Sequence, residues 1–143
     1  MSVHSIESSD DFKTQLQSAK DSLVIVDFYA DWCGPCKNIA PYVAELAEKH
    51  PDVKFLKVNV DKNRDVMTSE GVMSLPTFIA YKNNEKKSKF TGADKARLDD
   101  LIANDGVSTL PEQSAVDYPR LAMFVVLIIY MLYKNGYLAF LGF

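Results

Sequence analysis

Two cysteines, the only two in a chain of 143 residues, stand three positions apart at Cys33 and Cys36, in the stretch D-W-C-G-P-C-K. Thiols at that spacing can ligate a metal, close a small covalent loop, or exchange electrons. Zinc usually takes four ligands and this pair supplies two. The other candidates, His4 and His50, share no ligand-like spacing with each other or with the cysteines. A structural staple is equally weak, because closing so short a loop removes little chain entropy from the unfolded state. Redox chemistry remains. It needs a thiolate near neutral pH from a group whose ordinary pKa is about 8.5. A helix beginning around Gly34 would put Cys33 at its N-terminus, where unpaired backbone N–H groups and the macrodipole favour negative charge. Pro35 suits the first turn, having no N–H to lose. Cys36, one turn further in, is expected beneath Cys33, less exposed and positioned to attack a mixed disulfide formed by it. Cys33 is then the nucleophile and Cys36 the resolving thiol.

The elements that must hold this pair are readable on either side. Residues 3–6 are a short strand candidate, and 8–20 follow as a helix capped by Ser8 or Ser9, with Phe12, Leu16 and Ala19 on one face. Residues 22–30, S-L-V-I-V-D-F-Y-A, are β-branched and aromatic enough for a strand buried on both faces, hence the centre of a sheet. The helix carrying the cysteines places Ile39, Val43, Leu46 and Ala47 at helical intervals, with Pro41 as an expected kink. Residues 53–60 form a second buried strand, and 63–72 a short helix that Gly71 can end. Then T-F-I-A-Y-K, the pair Asn83-Asn84 and E-K-K-S-K-F-T-G read as a hairpin, since Asn tolerates the positive φ of a tight turn. An amphipathic helix over 93–103 closes the series. The order βαβαβαββα implies an α/β fold, a mixed central sheet with helices on both faces. Residues 104–118 are polar and turn-rich, and are expected to be linker.

Composition narrows the partners. A net charge of −3 with scattered basic residues leaves no electrostatic footprint for nucleic acid. The first residues have neither a charged start with an apolar stretch nor the arginines of a transit peptide, so the domain is expected on the cytosolic side. Two cysteines in one motif exclude a disulfide-stapled scaffold.

The segment D-F-Y-A-D-W-C-G-P-C-K-N-I-A-P-Y resembles the active-site segment of the thioredoxin family, and the likeness extends over about residues 1 to 105. The thioredoxin fold is what it implies. Asp27, in the buried strand before the motif, matches the family's buried acid, and the resemblance gives it the exchange of a proton with Cys36 through water. An unpaired carboxyl in such a strand is costly unless it has a task. S-L-P-T-F puts Pro76 where the family has a cis proline, which would leave the backbone of Leu75 free to pair with an extended substrate segment. Gly92 falls at the family's late glycine. Asn84 departs from the glycine common at that turn. Trp32, beside the motif, is expected to shape the partner surface, and Lys57 resembles a lysine near the buried acid. Gly34-Pro35 resembles the dipeptide of the reducing members, whereas oxidases and isomerases of secretory compartments commonly carry histidine before the second cysteine. The expectation is a protein-disulfide reductase, serving disulfide-containing clients with electrons from an NADPH-dependent thioredoxin reductase. The chain contains no motif for a bound cofactor.

Beyond this core lies a segment such a domain does not need. The apolar run Leu121–Tyr133 is about 20 Å long as a helix, short of a ~30 Å hydrocarbon core. Extended to Phe143 it reaches about 34 Å, but Lys134 then lies within the span at ~2.5–3.5 kcal/mol if central, less with snorkelling. Arg120 and tyrosines 118, 130, 133 and 137 suit interfacial positions. The segment is apolar on every face, which favours a lipid bilayer over packing on the domain. The organisation expected is a redox domain over 1–105, a linker over 106–118, and a membrane anchor over 119–143, spanning or shallow. Such an anchor resembles a tail anchor; the organelle is left open, with the endoplasmic reticulum and the mitochondrial outer membrane as candidates. Two further functional readings are a non-catalytic adaptor or chaperone module using the same groove, and a lumenal oxidase or isomerase.

Overall fold

The computed structural model describes residues 2–111 and 118–134. The chain forms two units, the first ending at Leu110 and the second beginning at Pro111.

In the first unit the elements alternate as β1 (His4–Ser5), α1 (Ser9–Ser18), β2 (Val24–Tyr29), α2 (Gly34–Lys49), β3 (Lys54–Asn59), α3 (Arg64–Ser69), β4 (Thr77–Lys82), β5 (Glu85–Thr91) and α4 (Lys95–Ala103). The five strands make one mixed sheet in the order β1-β3-β2-β4-β5. Strands β1 and β2 flank β3 in parallel, while β4 runs antiparallel to β2 and to β5. The βαβαβαββα order and the central place of β2 agree with the sequence reading.

Alternation along β2 divides the core. Val24, Val26 and Phe28 point to one face, with Phe12 and Leu16 of α1, Val66 of α3, and Leu56 and Val58 of β3. Ile25 points to the other, with Ile39, Val43 and Leu46 of α2 and Leu98 and Leu101 of α4. Burial on both faces explains why β2 carries no polar alternation. Asp27 is the exception, and parity puts it on the face of Ile25, under α2.

Local chemistry sets the ends of the elements. The Ser8 hydroxyl caps α1 by accepting the Asp11 N–H, and the Asp94 carboxylate caps α4 by accepting that of Arg97. Asn83 and Asn84 adopt φ of 53° and 63°, both left-handed, as a two-residue hairpin turn requires. Helix α2 runs uninterrupted through Pro41.

Residues 104–110, expected as linker, instead fold back onto α4. The Gly106 N–H donates to the Leu101 carbonyl at 2.7 Å, and the Asp100 carboxylate accepts the Thr109 N–H at 2.8 Å. The reason is specific pairing: one carboxylate satisfies the backbone of a turn-rich segment that has no periodicity of its own.

In the second unit α5 (Tyr118–Lys134) is a helix of 17 residues. Every apolar side chain from Met123 to Leu132 is exposed. Among the described residues no helix is long and apolar enough to cross a membrane. The remainder of the expected anchor, 135–143, lies outside the described residues.

Candidate active site

The end of β2 delivers the chain to the cysteines, and α2 begins at once. Cys33 is the N-cap of α2, in extended conformation, and its Sγ accepts the backbone N–H of Cys36 at 3.2 Å. Gly34 and Pro35 occupy the first turn, where the absence of a proline N–H costs nothing. The two cysteines are joined as a disulfide. Both are buried, Cys33 5% and Cys36 3% exposed.

What separates the two sulfurs is the side from which each is reached. Cys33 opens on a surface groove of about 600 Å³, with Trp32, Gly34, Pro35 and Leu75 beside it. Cys36 faces a smaller cavity of about 350 Å³ on the other side, shared with Asp27, Tyr29 and Lys57.

Asp27 is 7% exposed, and its Oδ1 has no hydrogen-bond partner among the described residues. Burial raises its pKa to about 7, against an opposing pull from the Lys57 charge. Lys57 is the β3 residue in register with Asp27, which is how the sheet brings the two together. Its ammonium also lies 5.9 Å from the centre of the Tyr29 ring. A carboxyl with that pKa is half-ionised at neutral pH, and can take a proton from a thiol or return one.

Trp32 is 71% exposed, and its indole N–H donates to Asp61 Oδ2 at 2.9 Å. The Leu75–Pro76 peptide is cis. Gly92, at φ 111°, lines neither cavity; its N–H donates to the Pro76 carbonyl at 2.8 Å, so it supports the loop from behind. The site residues read from the sequence therefore divide among the groove (Trp32, Cys33, Gly34, Pro35, Leu75), the inner cavity (Asp27, Cys36, Lys57) and a supporting position (Pro76, Gly92).

Sequence reasoning missed Asp61, Arg64 and Met73, which also line the groove. They come from the end of β3, the start of α3 and the loop before β4. The sheet order, with β3 and β4 on either side of β2, brings them to the cysteines. Met73 is an apolar residue left 92% exposed, which only the structure reveals. His4 and His50 stay away from the site, and among the described residues no group of three or more His, Cys, Asp and Glu could hold a metal ion.

The thioredoxin family model matches residues 3–104. The chain is 44% identical over 100 residues to a thioredoxin of Gallus gallus, covering 70% of this chain and 95% of that protein. It is 46% identical over 92 residues to a thioredoxin of Ophiophagus hannah, 64% of this chain and 88% of the relative. Among solved structures, Fasciola hepatica thioredoxin superimposes with a TM-score of 0.70 at 36% identity, over 71% of this chain and 98% of that one. The reduced Schistosoma mansoni thioredoxin pre-protein gives 0.70 at 41%, over 73% and 98%.

Proposed function

The chain belongs to the thioredoxin family, its Cys33–Cys36 pair making it a protein-disulfide oxidoreductase, and from that premise we propose that it works as a reductase of protein disulfides. In the reduced state the Cys33 thiolate attacks one sulfur of a client disulfide, forming a mixed disulfide and releasing the first client thiolate. Asp27 then takes the Cys36 proton through water, and the Cys36 thiolate attacks Cys33 Sγ. This closes the Cys33–Cys36 disulfide and frees the second client thiolate. The client gains two electrons, and the two protons balance its new thiols. Electrons return from an NADPH-dependent thioredoxin reductase, which restores the dithiol.

The observation that carries this reading is the two-sided access to the disulfide. The nucleophile meets the groove and the resolving thiol meets the buried acid. Lys57 tunes that acid, while Trp32 and the Leu75 backbone receive the client.

Insulin-disulfide reduction with NADPH and a thioredoxin reductase tests it. Residues 2–110 suffice, since both core clusters lie within them and the match covers 95% of the Gallus gallus protein and 98% of the Fasciola hepatica chain. Turnover is expected in the wild type, and none in Cys33→Ser or Cys36→Ser. A folded wild type without turnover would favour a binding module that uses the groove alone.

We propose further that residues 119–143 attach this domain to a membrane, with the domain on the cytosolic side. The support is the apolar sequence of the segment and the exposure of the α5 side chains from Met123 to Leu132.

A further inference from the structure

We propose that Arg64 makes the groove selective for client disulfides whose reacting cysteine is flanked by an acidic residue, an inference that rests on the disulfide-exchange reading above. Two charged side chains line the groove, Asp61 and Arg64. They are not equivalent. The Asp61 carboxylate is engaged by the indole N–H of Trp32, so one of its oxygens is already committed within the protein. The Arg64 side chain forms no ion pair or hydrogen bond among the described residues. Only its backbone carbonyl is used, accepting the Thr68 hydroxyl at 2.8 Å.

Nothing in the fold gives that guanidinium a structural task. It is exposed, at the first residue of α3, on the wall of the groove onto which Cys33 opens. The groove is otherwise largely apolar around it, with Val60, Met67, Met73 and Leu75. A guanidinium presents a planar fork of N–H donors that fits a carboxylate with two parallel hydrogen bonds. A client strand laid along the groove therefore meets apolar contacts over most of its length and one unpaired cation near its disulfide. Glutamate or aspartate beside the reacting cysteine satisfies that cation, whereas lysine there repels it. At contact distance in water one such charge pair is worth a factor of about five.

The test is single-turnover reduction by the pre-reduced full chain in non-ionic detergent at low ionic strength. It uses two synthetic peptides with one internal disulfide each, identical except for Glu or Lys beside the reacting cysteine. Trp32, the chain's only tryptophan, reports the oxidation by fluorescence, so no reductase enters the comparison. The acidic peptide is expected to react about 5- to 25-fold faster, since attraction of Glu and repulsion of Lys both widen the ratio, and the ratio to shrink with added salt. Arg64→Gln should bring it to one or below, because the Asp61 carboxylate keeps its charge when it accepts the neutral indole N–H, Arg64→Glu should invert it, and Arg64→Lys should retain most of it. Equal rates for the two peptides in the wild type, or a preference that survives in Arg64→Gln, would overturn the proposal alone. A chain that reduces neither peptide would overturn the reductase reading and this inference with it.

Discussion

Asp27 costs the fold stability near neutral pH, where the proposed mechanism uses its carboxyl. Its carboxyl ionises near pH 4 in the unfolded chain and near 7 in the folded one. Between those values the unfolded chain has lost the proton and the folded one keeps it. Stability therefore falls as pH rises through this window, and levels off above about 7. The penalty is on the order of 4 kcal/mol. Asp27→Asn removes the titration, so the variant should match wild type near pH 4 and exceed it progressively up to pH 8, as read from urea midpoints. A gap that stays constant with pH would show that the carboxyl is not desolvated as its burial implies. Activity should move the other way. With no acceptor for the Cys36 proton, insulin reduction by Asp27→Asn should fall about tenfold at pH 7. It should recover toward pH 9, where the thiol ionises unaided. Both the acid and the cysteines are legible in the sequence, because each is chemically conspicuous beside its neighbours. Arg64 is not: an exposed arginine in a polar stretch looks like any solvated charge until α3 is seen to wall the groove.

The elements were legible where one periodicity governed them. Strand β2 announces its central place by an apolar run, α1 by its cap and face, and the β4–β5 hairpin by two asparagines. The segment after α4 carries no such signal, since what orders it is pairing with Asp100 and packing against Leu23 and Ala80 rather than a periodicity of its own. Gly106 is the case in point. It sits at φ 88°, and a Cβ added there would come within 2.9 Å of Leu23 Cδ1 and 3.4 Å of the Ala80 Cβ. Leu23 and Ala80 are both buried, so neither can yield easily. Gly106→Ala is expected to destabilise the first unit by about 1–3 kcal/mol, through overpacking and a backbone conformation alanine resists. Because Gly106 does not line the groove, turnover per folded molecule should be retained below the lowered melting temperature. A thermal melt beside an insulin assay reads both, and an unchanged melt would mean that Gly106 is not packed against Leu23 and Ala80.

At the scale of the whole molecule, the region matched to the family ends at residue 104, and the apolar segment that follows needs its own account. Helix α5 is about 26 Å long, below the ~30 Å of a hydrocarbon core, and its fit to a bilayer could not be read from the thirteen apolar letters alone. In the proposed attachment hydropathy supplies the preference for lipid, while depth depends on where Lys134 resides. The proposed attachment nevertheless makes a prediction independent of depth. Full-length protein should float with vesicles of neutral phosphatidylcholine and remain bound in high salt, because apolar burial rather than charge holds it; residues 2–110 should not float. Leu127→Asp puts a carboxylate into the middle of the apolar run at a cost of about 2.5–3.5 kcal/mol if the residue enters hydrocarbon, which weakens partitioning roughly a hundredfold. If flotation is instead lost in high salt and indifferent to Leu127→Asp, the association is electrostatic and α5 does not enter lipid. If the full chain does not float at all, the proposed membrane attachment is wrong.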